Sequence, residues 1–232
     1  MRNGFFALAA CLAITTGAGT AAAQDRSGTF EISPFAGGYF GGRLYGNYPV
    51  TTLSANPGPG TVPVTTTYAY LEPDDDLAYG VRLAYNVTRV FAFEFDWTSV
   101  RADLRIPDVQ GVPSRNLKVG RLRQNVYEAN TIFNFGKRRA VGYFGLGAGV
   151  ATLDPSDGAF DGASRSRFTA NLSAGAKFFF TPRVGLRLDG RYRVIDQNSG
   201  DGRSCDRNGF CSDRWNRWSY NGELTGGLVF AF

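Results

Sequence analysis

Residues 77–98, LAYGVRLAYNVTRVFAFEFDWT, decide how the chain folds. Leu77, Tyr79, Val81, Leu83, Tyr85 and Val87 fall on one side of an extended backbone, and Ala78, Gly80, Arg82, Ala84 and Asn86 on the other. That period of two is the pattern of a β-strand, whose successive side chains point to opposite faces. After a turn near Thr88, Phe91, Phe93, Phe95 and Trp97 share a face opposite Ala92, Glu94, Asp96 and Thr98. The spacing predicts a tight antiparallel hairpin with one apolar and one charged face.

The same alternation returns along the chain. Phe168, Ala170, Leu172, Ala174, Ala176, Phe178 and Phe180 oppose Thr169, Asn171, Ser173, Gly175, Lys177 and Phe179. Thr181-Pro182-Arg183 then turns the chain, because proline fits a turn and cannot donate to a strand ladder. Val184, Leu186, Leu188, Tyr192 and Val194 oppose Gly185, Arg187, Asp189, Arg191 and Arg193. The last segment sets Trp218, Tyr220, Leu224, Leu228, Phe230 and Phe232 against Asn221, Glu223, Thr225, Gly227 and Ala231. Three softer segments cover 29–40, 121–135 and 140–152, the last with Phe144, Leu146, Ala148 and Val150 on its apolar face. Eight strands result. Their links alternate between turns near Thr88, Lys137 and Pro182 and long connections over 41–76, 102–120, 153–164 and 196–216. An even number of strands with tight turns at one end and long loops at the other is the signature of an up-and-down transmembrane β-barrel. The expected fold is therefore all-β and eight-stranded, with short periplasmic turns and long extracellular loops.

Which face meets lipid follows from the charges. Glu31, Arg82, Glu94, Asp96, Glu128, Lys177, Arg187, Asp189, Arg191, Arg193 and Glu223 all fall on the less apolar side of their strands. A soluble, lipocalin-like barrel would point them outward and take the aromatics inside. Nineteen Phe and eleven Tyr would overfill an eight-stranded interior, which is just wide enough for side chains. The inside-out arrangement accommodates both sets, with aromatics toward lipid and charges toward one another. Buried ions are costly unless paired, so the near balance of signs predicts a salt-bridged, largely occluded lumen. Arg187, Arg191 and Arg193 against Glu94, Asp96, Glu128 and Glu223 are its expected core. A narrow porin-like path for small solutes or ions is the alternative.

Composition narrows the chemistry. The chain of 232 residues carries a formal net charge of +5, is 14% aromatic, holds 30 glycines and has no histidine. Without an imidazole, triads of the Ser-His-Asp kind and His-ligated zinc are excluded, and no enzymatic activity is expected. The positive excess is too small and scattered to argue for nucleic acid. No cofactor and no metal site is indicated.

Residues 1–23 have the form of a secretory signal: Arg2, an apolar run from Phe5 to Ile14, and small residues ending at Ala21-Ala22-Ala23. Cleavage is expected between Ala23 and Gln24, leaving 24–232 as the barrel domain with a formal charge of +4. The stretch Leu8-Ala9-Ala10-Cys11 resembles a lipobox, but the apolar region runs on past Cys11. Cys205 and Cys211 remain, separated by the turn-rich DRNGF. In an oxidising compartment they are expected to staple a local loop, with free thiols or a histidine-free metal site as alternatives.

PFAGGYFGG at 34–42, GYFGLGAGVA at 142–151 and LTGGLVFAF at 224–232, together with the signal and the eight alternating segments, resemble the OmpA-like outer-membrane β-barrel family over essentially the whole mature chain. The resemblance implies an outer-membrane location in contact with lipid and lipopolysaccharide. It also implies that Tyr220, Leu228, Phe230 and the final Phe232 form the signal read by the barrel assembly machinery. With nothing after Phe232, no peptidoglycan-binding domain is expected. Function in such a scaffold belongs to the loops. Among loop features, Glu72, Asp74, Asp75 and Asp76 follow NPGPGTVPVTTT, Trp215 and Trp218 flank the last strand, and Arg89, Lys137, Arg138, Arg139 and Arg183 gather at the tight turns. Solvated loop charges and an interfacial tryptophan belt explain these most simply. A structural or surface-interaction role is the expected function.

Overall fold

The computed structural model describes residues 26–42, 45–53, 64–106, 117–137, 139–158, 165–196, 204–205, 211–212 and 218–232. The signal segment, the Ala23–Gln24 junction, most of NPGPGTVPVTTT, Arg138 and Trp215 lie outside them.

All secondary structure among these residues is strand. Eight long strands build the wall: β1 (Phe30–Phe40), β4 (Asp76–Asn86), β5 (Phe91–Ile106), β6 (Leu117–Lys137), β7 (Ala140–Gly158), β8 (Arg165–Phe179), β9 (Val184–Asp196) and β12 (Trp218–Ala231). Two hairpins ride on the loops: β2 (Tyr45–Leu53) with β3 (Val64–Pro73), and β10 (Ser204–Cys205) with β11 (Cys211–Ser212). Every pairing is antiparallel, and the wall closes where β1 meets both β4 and β12. Phe30 and Phe232 exchange backbone hydrogen bonds at 3.2 and 2.9 Å, joining the start of β1 to the end of β12 at the turn end.

The register fixes the barrel's shape. From Ser219 the ladder passes through Ile195, Thr169, Gly149, Glu128, Asp96, Arg82 and Ser33, and regains β12 at the position of Val229, ten residues along. Over eight strands that stagger corresponds to a tilt of about 40°. The tight turns are capped by threonine. Thr88 Oγ1 accepts from the N–H of Val90 and Phe91 at 3.2 and 3.0 Å, and Thr181 Oγ1 accepts from Arg183 and Val184 at the same distances. Gly136, at φ +116°, bends the end of β6 through a conformation that L side chains rarely adopt.

Along the lower wall the apolar face looks out. Phe93 is 55% exposed, Leu224 63% and Leu146 50%, whereas Asp96, one residue past exposed Phe95, is fully buried. Past Ser99 the two faces exchange character. Val100, Ala102, Leu104 and Ile106 are buried on the inner side of β5, and Arg101 is exposed on the outer side. β6 and β7 do likewise: Leu122, Ala151 and Leu153 are buried inward, while Arg121 and Arg123 stand exposed.

This inversion corrects the sequence-based boundaries. The expected strands at 121–135 and 140–152 extend to Leu117–Lys137 and Ala140–Gly158, and β5 runs to Ile106 into the expected 102–120 loop. A change of phase in the alternation looks like the end of a strand. Here it is one continuous strand passing between two surroundings. The 41–76 and 196–216 connections, expected as loops, each contain a hairpin.

Candidate functional site

Among the described residues, the fold concentrates its charged and polar side chains in the interior. Alternation along each strand delivers a charged side chain inward at every second position of β9 from Arg187 to Arg193, facing acids from β5, β6 and β12. Between them, the inner face of β7 carries three glycines in succession, Gly145, Gly147 and Gly149. A Cβ at Gly147 would lie 1.8 Å from Asn130 Oδ1. That bare strip leaves room for long side chains to cross the lumen.

All eleven charged residues named from sequence are buried inside. Nine form one connected cluster. Arg193 grips Glu128 bidentately, Nε to Oε1 and Nη2 to Oε2 at 2.9 Å each, and its Nη1 donates to Glu223 Oε1. Arg191 is the hub. It meets Glu94 at 3.4 Å, Asp96 and Glu128 at 3.2 Å each, and Asp189 at 3.6 Å. Arg82 holds Asp96 at 2.7 Å and Asp189 at 3.2 Å. Arg187 meets Glu94 at 2.5 Å and Asp189 at 3.3 Å. The remaining two stand apart nearer the turn end, where Lys177 donates to Glu31 at 2.5 Å and Asn86 adds a bond to the same carboxylate at 2.9 Å. Arg82 and Asp189 therefore belong to the core as fully as the seven residues singled out from the sequence.

Several members were not anticipated. Tyr143 donates to Asp189 Oδ2 and accepts from Arg187 Nε at 2.8 Å. Thr98 and Thr169 donate to Asp96 and Glu128 at 2.7 and 3.1 Å. The Arg82 guanidinium stacks 3.8 Å above the Phe35 ring. Arg26, just before β1, lies over Phe179 and reaches Glu31 at 3.7 Å, bringing a sixth cation to six carboxylates. Parity was the available signal for Tyr143 and Phe35, which share the inner side of their strands with glycines and serine; sorting faces by apolarity hid them.

Both ends of the cluster are closed by packing. Toward the turns lie Phe179, Val229 and Ala231. Toward the loops, a polar layer comes first, where Tyr39 donates to Asn221 Oδ1 at 2.8 Å and Gln124 Oε1 lies 3.3 Å away. Beside it lie Val126, Ala151 and Ile195, and above these Leu104, Leu122 and Leu153. A buried cluster in which each carboxylate faces a cation is suited to holding strands in register, and each unpaired member would be expensive. It presents no activated nucleophile.

The other sequence-derived residues lie elsewhere. Tyr220 and Leu228 are exposed on the outer face of β12, Phe230 is half-buried in the same row, and Phe232 is exposed just past the strand's end. Cys205 and Cys211 are direct partners in the two-residue β10–β11 ladder. Asp74 of the acidic loop stretch pairs with Arg105 at 2.5 Å, and Asp76 accepts from the Leu77 N–H at 2.6 Å. No group of His, Cys, Asp and Glu suited to a metal occurs among the described residues.

No family model and no curated protein sequence matches the chain. Solved structures do. The outer membrane protein OprG from Pseudomonas aeruginosa aligns with 89% of this chain and 97% of its own at a TM-score of 0.55 and 11% identity. Neisserial surface protein A covers 89% and 98% at 0.51 and 16%. The outer membrane protein AlkL, determined in lipid bilayers, covers 94% and 97% at 0.51 and 16%. This chain has the fold of the small outer-membrane β-barrels. At such low identity the likeness is one of architecture. What sets this small barrel apart has to be read from its own interior and loop-end wall.

Proposed function

We propose that the chain is an integral outer-membrane protein, exported as a precursor cut between Ala23 and Gln24, whose residues 24–232 form a single barrel domain with a non-enzymatic structural and surface-interaction role. The observation that carries it is the interior: the Arg191-centred cluster, capped by packed apolar side chains at both ends. Such a lumen is a polar plug, and exchange with partners falls to the loops. Its outward Phe, Leu and Tyr rows support contact with lipid. Tyr220, Leu228, Phe230 and Phe232 are read as the assembly signal, and the opposed Cys205 and Cys211 as a loop disulfide.

A narrow channel is the second reading. In its favour, the amide nitrogens of Gln124 and Asn221 are buried beside the cluster with no hydrogen-bond partner, a polar layer through which small solutes could pass. Planar-bilayer recording separates the two. Absence of reproducible single-channel steps is expected, and stable unitary conductance would replace the plug with the channel.

A further inference from the structure

Where β5 and β6 leave the apolar belt, the register sets Arg101 directly opposite Arg123. Both side chains are exposed on the outer wall, and neither has an ion pair or hydrogen bond among the described residues. Like charges directly opposite on paired strands repel, so this position costs stability unless an anion sits between them. The next charges toward the loops are satisfied: Arg105 pairs with Asp74 at 2.5 Å, Lys118 with Asp103 at 2.6 Å, and Arg121 lies 3.8 Å from Asp103. Asp154 is the ladder partner of Arg123 on its other side, yet it forms no ion pair with it.

Height decides what anion is available. Arg101 lies ten residues above Phe91 on β5, about 25 Å along the axis at a rise of about 3.3 Å and a tilt of about 40°. That equals the apolar height of an outer-membrane barrel, about 25 Å. Four residues below Arg101 on β5, Trp97 and its ladder partner Tyr127 belong to the apolar wall beneath the arginines. The two guanidiniums thus stand at the level of lipid headgroups, facing outward.

We propose that Arg101 and Arg123 form a binding site for the phosphate of a phosphorylated glycolipid headgroup in the outer leaflet, one phosphate accepting from both guanidiniums. This rests on the membrane location proposed above. In neutral detergent micelles at low salt, native mass spectrometry with a bisphosphorylated lipid A should show the double variant R101A/R123A binding about thirty-fold more weakly than the wild type, each cation contributing about a factor of five. Asp154→Asn should bind more tightly than the wild type, and the same lipid stripped of phosphate should not distinguish the three proteins. Equal binding of phosphorylated lipid by wild type and double variant would overturn the site. Inorganic phosphate binding as tightly as the lipid would overturn the lipid assignment. All three proteins should insert into phosphatidylcholine vesicles; failure of the wild type to do so would remove the membrane location, and the site with it.

Discussion

Arg191 concentrates the stability of the interior in one side chain. Its guanidinium meets four carboxylates, and its surroundings exclude water. Arg191→Met keeps most of the volume and leaves those acids without their shared cation. Removing one partner from a buried ionic group costs roughly 3–5 kcal/mol, so urea unfolding of the variant in vesicles should show a loss of that size. A change under about 1 kcal/mol would mean that water screens the cluster. The identity of the charged residues was legible in the sequence, because acids and bases repeated on the same side of each alternating strand. Arg26 and the exact pairings were not. Those depend on which strands face one another across the lumen and on the glycine strip of β7, which only the closed register supplies.

At the level of a strand, β5 carries two codes in one element. Up to Trp97 its odd positions are apolar and face out; from Val100 its even positions are apolar and face in. The first is the pattern of a wall in lipid, the second that of a wall in water with a packed interior. A charge on the lower outer face should be punished accordingly. Phe95→Arg is expected to cost about 2–4 kcal/mol, as for a basic residue near the middle of the membrane. In the upper region the inner face is the sensitive one. Leu104→Ala should cost about 2–5 kcal/mol, while Lys118→Ala, which removes only an exposed ion pair, should stay within about 1 kcal/mol. Urea titrations in vesicles measure all three, and a neutral Leu104→Ala would show that the upper extension is not packed. The position of this crossover was hidden in the sequence, since a phase change and a strand end produce the same break in alternation.

For the molecule as a whole, eight strands, their order and their antiparallel pairing followed from the sequence. The alternation was strong, and tight turns such as Thr88 to Val90 leave adjacent strands little choice of partner. The stagger of ten residues and the two loop hairpins did not follow, because they depend on the closed ladder and on segments with weak periodicity. The end of the chain bears on assembly: deleting Phe232 should reduce the amount of heat-modifiable barrel in cell envelopes while leaving refolding in detergent intact. Unchanged envelope yield would remove the C-terminal row from any role in recognition.

The inside-out arrangement itself is tested most directly by spin labels in vesicles. In a background with Cys205 and Cys211 replaced by serine, nitroxides are placed singly at Phe95 and at Arg101, and their collision with dissolved oxygen is compared with that of a water-soluble nickel chelate. The label at 95 should collide mainly with oxygen and the label at 101 mainly with the chelate. A label at 95 reached by the chelate, or shielded from both, would contradict a wall whose aromatic face meets lipid.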